Sequence, residues 1–236
     1  MSIVREKISG ATTRLEIAPI NDCRYVWPEN FEIELAADAA AGDTNLLLVA
    51  TTNTRALKSP FWIEFEDADG VPYAVRVNSD LAPGATSVNV DPLPAAYAAP
   101  NVISTGSRAK WPLLVPGIET INVPKQIETV ETSDMDDEGY KSNEVTKQGA
   151  EISADGFSVF YSAGRHQLME ARQTGNKLAV IVTYPLPKCN TGFTIGDRFR
   201  CFAIVSDSSK ESSHSEYVKE NYTFLSSGKI EEMLPK

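Results

Sequence analysis

The chain is written mostly in a period of two. Apolar and polar residues alternate through short runs, as they do in strands with one buried and one wet face. Leu46 and Leu48 mark one such run, and Val88 and Val90 another. Phe61-Trp-Ile-Glu-Phe-Glu and Tyr73-Ala-Val-Arg-Val flank Asp67-Ala-Asp-Gly, which predicts a hairpin turning at Asp69-Gly70. Residues 118–132 alternate loosely, and Phe157-Ser-Val-Phe-Tyr-Ser continues a strand from about Glu151. Leu178-Ala-Val-Ile-Val-Thr-Tyr is nearly all apolar, as in a strand covered on both faces. Residues 198–206 place Phe199, Cys201, Ala203 and Val205 on one face, and 217–225 make a further strand. One helix is predicted, over about 164–173, where good helix formers stop at Thr174-Gly175-Asn176. It is about three turns long, so it needs tertiary packing to persist.

An internal echo organises the first half. Gly42-Asp-Thr-Asn-Leu-Leu-Leu aligns with Gly84-Ala-Thr-Ser-Val-Asn-Val, 42 positions later. In each, a Gly-x-Thr turn launches a strand. Two repeats are too few for a solenoid, and a duplicated half of a small barrel fits better. The expected division is a β-rich insert domain at 29–107 and a second unit made of 1–28 with 108–236. Within that unit 132–149 is polar and without sustained periodicity, longer than most structureless loops of compact domains.

Composition narrows the function. With 236 residues and 42% hydrophobic content, the chain can bury a core and is not disordered as a whole. No apolar run approaches the ~18 residues of a membrane span, and the start reads as lacking a secretion signal. Three cysteines, Cys23, Cys189 and Cys201, with no C-x-x-C, argue against a disulfide framework or a zinc site. The net charge is −10, the wrong balance for gripping nucleic acid. Most of it sits in 29–107, which holds three basic and eleven acidic residues.

Catalytic constellations are not found. There is no G-x-S-x-G, P-loop or G-x-G-x-x-G. His166 and His214 are the two histidines, and each reads as a surface or packing residue. Ser107-Arg-Ala-Lys110 matches S-x-x-K at the level of chance. Glu131, Asp134, Asp136, Asp137 and Glu138 put five acids into eight residues. The run from Asp134 to Gly139 opens like a calcium loop, but Val145 stands where the bidentate Glu is required. An interaction loop meeting basic residues of a neighbouring subunit is the preferred reading over a solvated loop or a cation site.

The run Glu128-Thr-Val-Glu-Thr-Ser-Asp-Met-Asp-Asp-Glu-Gly-Tyr-Lys-Ser-Asn-Glu-Val-Thr-Lys-Gln-Gly-Ala-Glu-Ile-Ser resembles tail tube proteins (major tail proteins) of tailed bacteriophages. The strand, helix and strand that follow keep that family's order. The resemblance covers about 110–236 with the N-terminal arm. It implies a mainly β fold: a tail-tube β-sandwich with one short α-helix, the β-rich insert standing outside. It implies a non-enzymatic virion protein without cofactor or metal, assembled in the host cytoplasm into six-membered rings that stack into a hollow tube for DNA. The partners it implies are further copies of the chain, the tape measure, tail terminator and distal tail or baseplate proteins, and double-stranded DNA passing without specific binding or any membrane contact. Glu131, Asp134, Met135, Asp136, Asp137, Glu138 and Tyr140 are then the expected ring-stacking contacts, with Met135 and Tyr140 as apolar anchors. Competing expectations are a decoration protein, a tail terminator or an inner tube ring of a contractile machine. A carbohydrate-binding module is another, with Phe61, Trp62, Tyr73 and Trp111 as its aromatic platform.

Overall fold

The computed structural model describes residues 13–20, 27–66, 72–99, 108–131, 143–185, 195–212, 218–228 and 230–233. The fold is mainly β with one helix. The strands are β1 (Arg14–Pro19), β2 (Phe31–Glu34), β3 (Asn45–Leu47), β4 (Phe61–Glu66), β5 (Pro72–Val77), β6 (Ser87–Asn89), β7 (Arg108–Trp111) and β8 (Leu113–Leu114). After them come β9 (Ile118–Asn122), β10 (Lys125–Glu131), β11 (Asn143–Phe157), α1 (Ala163–Thr174), β12 (Leu178–Pro185), β13 (Ile195–Glu211), β14 (Lys219–Ser226) and β15 (Glu231–Met233).

Nine strands make one antiparallel sheet, ordered β10-β11-β14-β13-β12-β1-β8, with β9 beside β11 and β15 beside β13. The alternation read from the sequence decides its two faces. Leu15 and Ile17, Val180 and Val182, Phe199, Cys201, Ala203 and Val205, Tyr222 and Phe224, and Ile152 and Ala154 are all buried on one face. Helix α1 packs on that face, touching β13, β1 and β8, and the sheet curls enough to bring β9 back towards β1. The helix spans one residue more at each end than expected. Gly175 ends it in the left-handed conformation, φ 71°, where glycine carries no steric penalty.

The other pairs are β2–β7, β3–β6 and β4–β5, and they carry the echo of the sequence as a pseudo-twofold arrangement. Leu48 N donates to Thr86 O and Val90 N to Thr44 O, both at 2.9 Å. Ala36 N donates to Leu47 O and Asn78 N to Asn89 O, again both at 2.9 Å. Each pair of bonds is related by the 42-residue offset. Gly42 and Gly84 both take positive φ, 89° and 70°, so the two Gly-x-Thr turns are built alike. The expected hairpin forms as β4 with β5; its tip at Asp69-Gly70 lies outside the described residues. The strand that closes this six-stranded group on β2 is β7, which runs past position 107.

Two expectations about strand limits are corrected. The polar stretch 132–149 is not all loop, because Asn143 to Gly149 belong to β11 and pair with β10. Backbone pairing there does not need apolar alternation. The strand leading into the helix stops at Phe157, and Phe160 and Tyr161 are exposed in the turn before α1.

A buried charge cluster fixes the helix to the sheet. Glu220 is 3% exposed. It accepts hydrogen bonds from Arg165 Nε and Nη2 at 2.9 and 2.7 Å, from Tyr222 OH at 2.5 Å and from Ser158 Oγ at 3.0 Å. Burial alone would push the Glu220 carboxyl up, but the donors Arg165 and Tyr222 outweigh it and hold it at about 2. A carboxylate depressed in the folded state stabilises fully above its unfolded value and loses that contribution as pH falls through the folded one. Stability is therefore expected to fall as pH drops from the ordinary glutamate value of 4.5 to about 2, as followed by acid titration of thermal unfolding. Glu220→Gln should flatten that pH dependence. It should also destabilise by about 3–5 kcal/mol, since it leaves Arg165 buried without its countercharge.

Candidate functional site

The sequence-expected contact residues divide around the β10–β11 pair. Glu131 is the last residue of β10, opposite Asn143. Asp134, Met135, Asp136, Asp137, Glu138 and Tyr140 lie outside the described residues. What the structure does place is the ribbon that carries them. Strand β10 pairs with Asn143–Ala150 of β11, while β14 joins β11 only from Glu151 onward. Among the described residues, the far half of β11 thus has β10 on one side and nothing on the other. The outer edge of β10 is likewise unpaired. A two-stranded ribbon is marginal in water on its own, and open edges offer backbone groups to another chain. The ribbon is therefore a surface suited to pairing.

The wet face of the large sheet is the second candidate surface. Register puts Glu151, Ser153 and Asp155 of β11 beside Leu225, Thr223 and Asn221 of β14. Farther across, Arg198 and Arg200 of β13 lie level with Thr183 and Ile181 of β12, and these with Arg14 and Glu16 of β1. This face is mostly polar along β11 and β14, with Leu225 exposed, but across β1, β12 and β13 it also carries Ala18, Ala179, Ile181, Phe202 and Ile204, of which Ala18, Ala179 and Phe202 are buried. Arg200 Nη2 meets Glu231 Oε2 at 2.5 Å and its guanidinium lies 4.4 Å from the Trp27 ring centroid. Trp27 in turn stacks on Phe202 at 4.3 Å.

The third feature is a clasp between the β4–β5 hairpin and α1. Trp62 and Glu64 point out of the hairpin on the side away from buried Phe61, Ile63 and Phe65. Trp62 stacks on His166 at 4.5 Å and donates through Nε1 to Glu170 Oε2 at 2.6 Å. Arg76, opposite Trp62 in register, donates to Glu170 Oε1 at 2.9 Å. Gln167 Oε1 accepts from Trp62 N at 3.2 Å. Ser162 does not cap the helix with its side chain. The hairpin does so instead, with Ala163 N donating to Glu64 Oε2 at 2.9 Å. Burial lowers the His166 pKa, which favours the neutral ring in the stack.

Among the described residues, the candidate catalytic side chains are engaged or buried. Glu170, one turn beyond His166, is committed to Trp62 and Arg76. Burial pushes the Cys201 thiol up to about 12, which makes it a poor nucleophile. Cys23, Cys189 and His214 are outside the described residues, as is the stretch resembling a calcium loop up to Ser142. Among the described residues no group of three or more metal-binding side chains comes together, and no helix is long and apolar enough to cross a membrane. The aromatic platform does not form: Phe61 and Trp111 are sealed in the core, Trp62 is stacked on the helix, and Tyr73 leans on Tyr97 and Tyr161.

Sequence reasoning missed the clasp and the ion pairs of the sheet face. A signal existed for the first. Trp62 occupies an outward position in an alternating strand, where a large aromatic needs cover.

No protein-family model matches the chain, and no curated protein matches it. Solved structures similar to about half of it include the following three. One is the tail of an empty GTA particle with C6 symmetry: 13% identity, TM-score 0.39, covering 49% of this chain and 81% of that one. Another is the SPP1 tail tube, with 12% identity and TM-score 0.39, covering 51% and 67%. The third belongs to the virion of the native gene transfer agent (GTA) particle, with 13% identity and TM-score 0.40, covering 50% and 86%.

Removing the clasp carboxylate leaves Trp62 Nε1 and Arg76 without their acceptor. Glu170→Ala is expected to cost about 1–3 kcal/mol and to speed hydrogen exchange in β4 and β5, read by exchange mass spectrometry.

Proposed function

We propose that the chain is the structural subunit of a bacteriophage tail tube. Copies close into rings, six to a ring, and the rings stack into a hollow conduit for double-stranded DNA in the virion tail. The observation that carries this reading is the β10–β11 ribbon, paired only with itself among the described residues, at the segment where the sequence resembles tail tube proteins. Pairing its open edges with another copy removes their exposure. Contact between two different surfaces of identical subunits propagates when it does not close, which suits stacking. The acidic run Glu131, Asp134, Asp136, Asp137 and Glu138, with Met135 and Tyr140, then makes the contact between rings. The wet sheet face lines the channel, and the acidic group at 29–107 stands on the outer wall, where its charge keeps tubes soluble.

The protein does no chemistry in this role. Its tape measure, terminator and distal partners set the length and the ends, and assembly takes place in the host cytoplasm. A decoration protein, the second reading, would need a surface complementary to a capsid and no open ribbon of this kind.

Replacing 133–141 by a short Gly-Ser turn should give a folded monomer with unchanged melting temperature that no longer sediments as assemblies. Assemblies of wild-type size formed by that variant would overturn the stacking role of the loop. Raising ionic strength across the Debye range should weaken wild-type assembly, since the contact is acidic.

A further inference from the structure

We infer that acids on the outward face of the large sheet hold its basic residues silent toward phosphate, with Glu16, Glu211 and Glu231 as the residues responsible; this rests on the channel reading above. A conduit for DNA must not grip it, because each Lys or Arg contact with a phosphate adds affinity and slows passage. Yet this face carries four described bases: Arg14, Arg198, Arg200 and Lys219.

Each base has an acid within its own pattern of strands. Lys219 stands directly opposite Glu211 in the β13–β14 register. Arg200 is bound to Glu231 through both Nη2 and Nε, at 2.5 and 2.7 Å, and its far side is covered by Trp27. Glu16 sits on the same face of β1 as Arg14 and, across β12, near Arg198. Burial raises the Glu16 pKa, and the charges of Arg198 and Arg14 act against that rise, so all three groups feel one another. One carboxylate thus serves two arginines.

The test uses the full chain and a short fluorescein-labelled DNA duplex, read by fluorescence anisotropy across salt. E16Q/E231Q keeps the shape of both acids and removes their charge. It should bind the duplex about tenfold or more tighter than wild type, with a salt slope steeper by about one unit per freed arginine. Adding R14Q/R198Q/R200Q to that variant should abolish the gain. Binding no tighter than wild type, or a gain that survives R14Q/R198Q/R200Q, would overturn the inference. Should E16Q/E231Q not fold, E211Q frees Lys219 at the exposed end of the same face. It should give a smaller gain of the same kind, and no gain there overturns the inference equally. Electron microscopy of the wild type separates the two levels. A DNA gain in a protein that forms no tube upholds the masking and overturns the channel.

Discussion

Helix α1 is the member on which the rest of this structure depends. At three turns it would not persist alone, and its own N-terminal residue gives it no side-chain cap. Contacts from three directions hold it. Arg165 reaches down to Glu220 on the sheet, and Glu64 and Trp62 reach across from the β4–β5 hairpin. Gly164 lies so close to β8 that an added Cβ would stand 2.4 Å from Leu114 O. The helix therefore ties the six-stranded repeat group to the large sheet, and each of the two is positioned through it. Polar bonds do much of this tying, which gives the junction a direction that apolar packing alone would not supply.

With the buried face closed by the helix, two parts of the large sheet are left to meet other molecules. One is the outward face, where polar and charged side chains are set among a few apolar ones. The other is the ribbon, whose outer edges have no strand partner among the described residues. They differ in kind. On the proposed reading the first avoids contact, its bases answered within the chain. The second makes contact, since a lone ribbon is marginal without a neighbour. A tube subunit needs both, an inert inner wall and adhesive margins.

Much of this was legible in the sequence, and the parts that were not have physical reasons. Alternation at 199–205 located the buried face of β13, and Thr174-Gly175 located the end of the helix, because local sterics govern both. The 42-residue echo foretold the pseudo-twofold group, since equal turns launch equal strands. The far half of β11 was hidden because the sequence over 143–149 has no apolar period to display. Aromatic Phe160 and Tyr161 lengthened the expected strand falsely, being exposed in a turn. The clasp was out of reach of local pattern, as Trp62 and Glu170 are 108 positions apart. Glu220 did leave a trace: it shares a register with Tyr222 and Phe224 on a buried face, where an acid must find a cation. The expected stacking residues from Asp134 to Tyr140 lie outside the described residues, so their role stands on the sequence and on the ribbon beneath them.

The claim at the centre of this account is that the chain assembles with itself into a hollow tube. Negative-stain electron microscopy of the purified full-length protein, across concentration and ionic strength, tests it most directly. Six-membered rings or hollow tubes, favoured by high concentration and low salt, are the predicted result. A protein that remains a lone monomer under every such condition, with and without preformed tube ends as seeds, would contradict it.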